Sequence, residues 1–579
     1  MEKEIQPKIN PNADVVNQYT GEKWYYTDIV KEHFFNPRNL MLEEPDESKY
    51  DATGMVGSPA CILPSTLIQT NPSAVAIKEV DVNERVLGHD GYFHPVERVI
   101  RPQYNSDLVK IKNPLGEITA TDDHLIFAMQ VPRKKESPFV HTKYKKRIPV
   151  SWVHAGELQK GDVVLYPVPK EVRVVEEIAL PKKQRKVFDF RSRQLPAALP
   201  VNSEVLELFG YFVAEGHTKG EKEVGFTFGI GEMAYVKRVQ HLIKKYFGLE
   251  ATYRTREINN RIDVVVYNIY LAKLFKEWFG DSAERKSVPE FVLFLNPLIQ
   301  RGFIRGVWRG DGYFSATRSQ PRAGFATISE KLLHEMRWLL LRQRIIPSIY
   351  REKRRVRKGV NHQPSFRIHV GDMDSLERLA EILEVSFARD KKKRHEVEVW
   401  SDDNFVYLPV RKIESVPFAG RLYNFEVKQS HTYTTDAFLV HNCGDMMKMW
   451  LKIEPQTEKV TVMNWRTFGC GSAIAATSMF SVMITENGGL PIEEALKIKP
   501  QNIMERLGGL PNRKIHCSVL ADKAFRKAAN DYFRRTGQTS RIIVDGAKVI
   551  DAKLNITDKD IEEAVIAYQI NLQTYRLTP

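Results

Sequence analysis

Cysteine is scarce in this chain: 579 residues contain four, Cys61, Cys443, Cys470 and Cys517. So few in so long a chain argue against a secreted disulfide framework, and reduced thiols are expected. Each must then have a chemical use of its own or be a small buried hydrophobe. Long apolar runs are lacking too. No stretch approaches the roughly 18 consecutive apolar residues of a membrane span, and the opening "MEKEIQPKINPNADVV" has no apolar signal core. A cytoplasmic protein with no membrane partner is the expectation. What is present, 42% hydrophobic and 27% charged residues, suits globular cores. The length suits about three or four domains.

Acidic residues run short in one block only. Residues 61–442 carry 61 Lys+Arg against 46 Asp+Glu, whereas 1–60 and 443–579 together carry 25 against 26. The whole surplus behind the net charge of +14 therefore lies in one contiguous segment. Neutralising phosphates is the commonest use of such a surplus; a merely soluble basic surface is the bland alternative.

Texture divides the chain further. From 61 to 195, short β-branched runs broken by Gly and Pro ("SDLVKIKN", "GEITATDDHLIFAM", "GELQKGDVVLYPV") predict an all-β domain, and the same texture returns over 399–442. The interruption, 196–398, contains an internal repeat: "LELFGYFVAEGH" (206–217) matches "GFIRGVWRGDGY" (302–313), with Glu215 and Asp311 96 residues apart. Each copy reads as an αββαββα-like unit. The flanks, 1–60 and 443–579, read as α+β, with a short helix over 25–39, strands at "MMKMWLKIE" and "KVTVMNWRTFG", and helices beyond. Residues 538–579 read as a helical tail of unknown use.

The edges of the basic block carry coupled acyl-transfer chemistry. A thiolate is the best protein nucleophile near neutral pH, so Cys61 can attack the Ala60 carbonyl and turn that amide into a thioester. Cys443 can take over the acyl group by thiol exchange. Asn442 can cyclise on its own carbonyl, cutting the chain before Cys443, whose freed amine then recaptures the thioester as a peptide bond. Amides resist attack, so donors must stabilise the oxyanion and protonate the leaving nitrogens. His124 in "TATDDH", His431 in "SHTYTTD" and His441 are the candidates. A lone histidine is more often structural; the aligned set is harder to explain away.

These residues resemble the blocks of an intein, a self-splicing insert of the Hint fold. Cys61 stands first, Thr121-x-x-His124 resembles the TxxH block, and "RLYNFEVKQSHTYTTDAFLVHN" resembles the C-terminal block, with His431, His441 and Asn442 in register and Cys443 next. The resemblance implies that Thr121 and His124 activate the bond before Cys61, that His431 and His441 assist Asn442, and that splicing needs no cofactor. One residue departs: many members have Asp or Cys where this chain has Asn424.

The repeated motif resembles the paired LAGLIDADG helices of homing endonucleases. Small residues let two helices pack closely, here Gly210 and Ala214 against Gly306 and Gly310, and each helix ends in a carboxylate. The resemblance implies a pseudo-twofold α/β domain in which Glu215 and Asp311 hold Mg²⁺, Lys286 assists, and double-stranded DNA spanning the insertion site is the substrate. A DNA-binding relic without nuclease activity is the alternative.

With 61–442 removed, the flanks read "GMVGSPA" then "CGDMMK". Together with "KEHFFNPRN", "RTFGCGSAIAATS" and "LPNRKIHCSVLA", they resemble an iron–sulfur cluster assembly scaffold of the IscU/NifU type. The resemblance implies a transient iron–sulfur cluster, or Zn²⁺ in its place, on Cys443, Cys470 and Cys517 with Asp445 and His516 as auxiliary ligands. It also implies a cysteine desulfurase partner. "LPNRK" resembles, with changes at Asn512 and Arg513, a docking segment for a DnaK-type chaperone. The expectation is thus a multidomain precursor: an α+β scaffold split by an all-β Hint domain, itself interrupted by an endonuclease. A splicing-defective fusion whose main activity is on DNA is the other reading.

Overall fold

The computed structural model describes residues 15–16, 23–24, 26–42, 45–56, 60–71, 73–132, 148–180, 193–316, 321–352, 355–357, 360–362, 364–387, 399–442, 446–468, 471–510, 516–543, 549–551 and 556–557. It falls into two compact units, Ala60–Asn442 and a second assembled from Met1–Pro59 with Cys443–Pro579. Among the described residues, no helix is long and apolar enough to cross a membrane.

The second unit is built by both ends of the chain. The strand Ala52–Val56 pairs antiparallel with Met446–Ile453, which in turn pairs with Lys459–Phe468. One core gathers Val30 and Ala52 from before the block with Met447, Trp465, Phe480 and Phe525 from after it. Gly54 is required where this sheet meets the helix His516–Arg535, because a Cβ there would lie 2.3 Å from the Ala524 carbonyl oxygen. A sheet whose neighbouring strands come from opposite sides of a long segment cannot close unless both flanks fold together. In the tail, the described residues form a 3-10 turn, Thr539–Arg541, and a two-stranded pairing of Val549–Asp551 with Ile556–Thr557. This corrects the expected helical tail over those residues: Val549, Ile550 and Ile556 are β-branched, a composition that suits strands better than helix.

The Ala60–Asn442 unit contains an all-β part whose sheets bridge a long interruption. Gln103–Lys112 pairs with Lys412–Arg421 over ten residues, Val163–Pro167 with Phe405–Pro409, Phe93–Ile100 with Asn424–Val427, and Leu125–Met129 with Leu439–His441. Between them lie two copies of helix, two strands, helix, two strands, helix, the second copy carrying in addition a short hairpin, Arg355–Arg357 with Val360–His362, between its last two strands. The first sheet runs Gly216–Lys219, Glu223–Gly229, Arg261–Tyr267, Thr252–Arg256, and the second Gly312–Ser315, Arg322–Thr327, Ser365–Val370, Ser348–Glu352, in the same spatial order.

The two parts of this unit are joined by a buried ion pair. Arg337, on the helix Glu330–Arg342 of the second repeat, is 1% exposed and lies 3.5 Å from Asp436, between the Thr432–Thr434 and Leu439–His441 strands. Removing one member of such a pair strands the other charge. Arg337→Ala is therefore expected to destabilise the unit by about 3 kcal/mol, read as a lowered urea midpoint for loss of this unit's near-ultraviolet signal in an unspliceable background.

Candidate functional site

Two side-chain clusters in the Ala60–Asn442 unit carry chemistry. The first joins the unit's two ends. Cys61 is fully buried and in no disulfide. Its N–H donates to Thr121 Oγ1 at 3.0 Å, and the Thr121 N–H donates back to the Cys61 carbonyl at 2.9 Å. Ile62 then bridges Ala120 and Tyr423, so the residues after the thiol are stitched between two strands. The Ala60 carbonyl accepts a hydrogen bond from Asn424 Nδ2. His124 follows the turn from Thr121, donating its N–H to the Thr121 carbonyl at 3.1 Å. Its fully buried imidazole is pushed down to about 4, chiefly by loss of solvation; the Ala60 backbone opposes that shift and His441 adds to it. The ring is therefore neutral at pH 7, and neither nitrogen has a well-formed hydrogen bond.

At the other end, the backbone N–H of buried Asn442 donates to the His431 carbonyl at 2.9 Å. Its side-chain Nδ2 lies 3.4 Å from His431 Nδ1, and its carbonyl oxygen 3.1 Å from His441 Nδ1. His431 adopts φ +52°, in the left-handed region, after Gln429 at +67°; this tight turn delivers the ring to Asn442. Burial lowers the His441 pKa most, opposed by the Asn442 carbonyl and reinforced by His431 and His89. The Trp152 ring meets His441 edge-on at 4.9 Å.

The structure brings Cys61, Thr121, His124, His431, His441 and Asn442 together, and adds residues that the motifs do not flag. His89, on a turn of the first β segment, places Nδ1 3.0 Å from Thr432 Oγ1. Tyr433 Oη donates to Asn424 Oδ1 at 2.8 Å. Neither His89 nor Trp152 sits in a distinctive spacing, so only the fold reveals them.

The second cluster lies where the repeats meet. Helices Ser203–Glu215 and Pro297–Asp311 cross at Gly210 and Gly306, whose Cα atoms are so close that a Cβ on either would lie 2.9 Å from the other. A side chain at Gly306 would strike the Glu207 carbonyl at 2.2 Å. The crossing carries Glu215 and Asp311 to one cavity of about 470 Å³, also lined by His217, Asp281 and Lys286. Burial, then Asp311 and Glu232, raise Glu215 to about 8; burial raises Asp311 to about 6; Lys286 opposes both shifts. Lys286 itself is pushed down to about 7 by burial, against the pull of the two acids. Its Nζ donates to the Phe212 and Gly216 carbonyls at 2.6 and 2.7 Å, which anchors it at the end of the first helix.

The sequence-predicted cluster ligands Cys443, Asp445 and Cys470 lie outside the described residues. His516 and Cys517 open the helix His516–Arg535, but their side chains are also outside what is described, as is most of "LPNRK".

Comparison with known proteins bears on both units. A family model described as NifU-like N terminal domain matches residues 425–539, and one described as LAGLIDADG-like domain matches 299–384. The chain carries a NifU-like domain and a LAGLIDADG-like domain. The NifU-like match starts within the Ala60–Asn442 unit and misses the Ala52–Val56 strand that the fold adds to that domain. The LAGLIDADG-like match covers the second repeat alone. The iron–sulfur cluster assembly scaffold protein IscU 1 of Archaeoglobus fulgidus is 44% identical over 100 residues, 17% of this chain and 62% of that one. An uncharacterized protein of Methanocaldococcus jannaschii is 27% identical over 449 residues, 73% of this chain and 55% of that one. The ATP-dependent DNA helicase Hel308 of Thermococcus kodakarensis is 26% identical over 436 residues, 70% of this chain and 38% of that one. The chain thus spans between 38% and 62% of the length of these relatives. Among solved structures, the homing endonuclease I-DmoI aligns at 15% identity and a TM-score of 0.25, covering 32% of this chain and 98% of that one.

Proposed function

We propose that the chain is a precursor that excises its 61–442 block and joins Ala60 to Cys443, yielding an iron–sulfur cluster assembly scaffold and a free block that cleaves DNA. The observation that carries the splicing reading is the convergence of both ends of the basic block on one buried site, in a unit bounded at Ala60 and Asn442. The relatives add support. Two proteins with different names match over stretches longer than both flanks of this chain together, whereas the scaffold relatives match about 100 residues. A block carried in unrelated hosts produces that pattern.

The residues divide the work by position. Cys61 Sγ adds to the Ala60 carbonyl, the C–N bond breaks, and the thiol proton ends on the Cys61 nitrogen. Thr121 holds that nitrogen, and neutral His124 stands beside the same amide, able to pass the proton. Cys443 then displaces Cys61 from the thioester. Asn442 Nδ2 attacks its own carbonyl carbon, His431 Nδ1 being placed to take the amide proton and His441 Nδ1–H to bond the carbonyl oxygen. As the 442–443 C–N bond breaks, the proton taken from Nδ2 passes to the Cys443 nitrogen and the cyclised Asn442 leaves. The freed Cys443 amine then attacks the thioester, breaking its C–S bond and leaving an amide with a free Cys443 thiol.

For the excised block we propose divalent-cation-dependent cleavage of double-stranded DNA. Glu215 and Asp311 offer hard oxygen donors that repel one another and are short of solvent, so a divalent cation held by these carboxylates would relieve both costs. No group of three or more acidic, His or Cys ligands occurs among the described residues, so water and phosphate oxygens would complete the shell. Bound there, the metal would supply Lewis-acid stabilisation of the phosphodiester displacement. For the rejoined flanks, the iron–sulfur cluster is cargo, and a cysteine desulfurase and a DnaK-type chaperone are the proposed partners. Expression of the native chain tests the whole reading: a denaturing gel should show the joined flanks and the free block. Persistent full-length protein that still cuts DNA would favour the splicing-defective fusion.

A further inference from the structure

We propose that Asn424 is a catalytic residue of the first acyl shift, donating from its carboxamide nitrogen to the oxyanion that forms on Ala60. The inference rests on the splicing reading and concerns the residue at which the C-terminal block departs from its family.

The geometry starts with orientation. Asn424 is fully buried at the head of the Asn424–Val427 strand, paired there with Ile100. Its Oδ1 accepts from the Phe425 N–H at 2.7 Å and from Tyr433 Oη at 2.8 Å. A backbone N–H can only donate, so the amide terminus facing Phe425 must be the oxygen. The amino terminus is thereby forced toward the Ala60 carbonyl oxygen, with which it hydrogen-bonds. Tyr433 is fixed in turn, its ring packed 5.2 Å from Phe425 and fully buried. Thr121 occupies the other side of the same peptide, accepting from the Cys61 N–H. The scissile amide is therefore held at both ends by different residues, with Asn424 hydrogen-bonded to the oxygen and the His124 ring beside the same backbone.

The chemistry follows from charge. When Cys61 Sγ bonds to the Ala60 carbon, the carbonyl oxygen becomes an alkoxide, and the Asn424 bond changes from neutral to charge-assisted in a dry site. When the C–N bond breaks, the oxygen returns to a thioester carbonyl and the thiol proton resides on the Cys61 nitrogen. Asn424 gives up and takes no proton. It acts only by strengthening a bond that already exists, so it contributes no ionisation of its own to the reaction's pH profile. An acid at this position behaves differently: it donates to the oxygen only while protonated.

The test uses the full chain with Asn442→Ala and Cys443→Ala, so that only the first shift is read, as release of fragment 1–60 by dithiothreitol across pH. Adding Asn424→Ala should slow release by about 100-fold or more, the usual cost of one oxyanion donor. Adding Asn424→Asp should give release that falls as pH rises, a limb missing from the parent. Tyr433→Phe, which removes the orienting hydroxyl without opening a large cavity, should slow release by about tenfold, and decides the matter if Asn424→Ala fails to fold. Release by the Asn424→Ala or Tyr433→Phe chain within about twofold of the parent would overturn the proposal while leaving splicing intact. No release by the parent itself would overturn the splicing reading and this proposal with it.

Discussion

Replacing Cys61 and Asn442 together by Ala should leave the full-length chain as the sole product, with no joined flanks and no free block on a denaturing gel after a day. The expected effect is the largest available, because it removes both groups that break peptide bonds. Unassisted amides are so inert that enzyme-like accelerations of about 10⁶-fold or more are at stake, beyond any partial rescue on that timescale. The single variants should fail differently. Cys61→Ala keeps Asn442 with its Nδ2 beside His431 and its carbonyl beside His441, so the chain can still be cut before Cys443, releasing 443–579 alone. Asn442→Ala keeps the thiol beside the Ala60 carbonyl, so added thiol should release 1–60. Since Cys61 is fully buried, loss of its sulfur removes one small group from a formed core, and circular dichroism should confirm that the fold survives. Identical spliced products from the double variant would refute the assignment of both edges.

Glu215→Gln or Asp311→Asn should lower cleavage of a plasmid carrying the rejoined flank-coding sequence by about 10³-fold or more while leaving DNA retention on a gel nearly unchanged. The acids sit in the cavity at the helix ends, whereas the exposed Tyr253, Tyr267, Tyr313 and Tyr350 and their neighbouring arginines lie on the two sheets. Chemistry and grip are therefore separable. The pH dependence follows from the shifted groups. Glu215 rises from 4.5 to about 8 and Asp311 from 3.8 to about 6 on folding, so the folded state binds more protons than the unfolded. Their stabilisation is complete below the unfolded values and is lost as pH rises through the folded ones. Lys286 has the opposite sense: depressed from 10.5 to about 7, it adds stability as pH rises from 7 toward 10.5. These three groups by themselves should thus lower the stability of the metal-free block from about pH 4 to 7, leave it level from about 7 to 8 where the lysine offsets the remaining titration of Glu215, and raise it from about 8 toward 10.5. Added Mg²⁺ should raise the melting temperature more at pH 8 than at pH 5, and Glu215→Gln should remove most of that difference. Cleavage itself should climb from pH 6 to 8 as both carboxylates ionise.

How far the sequence carries this account depends on whether the chemistry is local. Cys61, His124, Asn442 and the paired glycine motifs were legible because covalent chemistry and helix crossing each demand a residue type at a fixed place. The interrupted β texture likewise announced strands that pair across some 300 residues of chain, as Gln103–Lys112 does with Lys412–Arg421. The short strands after each glycine motif, Gly216–Lys219 and Gly312–Ser315, lack the β-branched runs that mark their neighbours, and only pairing in the sheet defines them. Asn424 was visible as a departure, but its bond to Ala60 is made between residues 364 apart in sequence. Arg337 and Asp436 are an ordinary cation and an ordinary acid until the fold buries them together. The tail, expected as helix, pairs as strands in its described segments Val549–Asp551 and Ile556–Thr557, where β-branched residues cluster.

The most direct measurement is tandem mass spectrometry of freshly expressed native chain, digested and searched for one peptide that runs from "GSPA" straight into "CGDMMK". The account predicts that this peptide, with Ala60 bonded to Cys443, dominates over peptides spanning either original junction, and that a free block ending in a cyclised Asn442 accompanies it. Finding only the peptides that retain the junctions Ala60 to Cys61 and Asn442 to Cys443, under reducing and metal-free conditions alike, would contradict it.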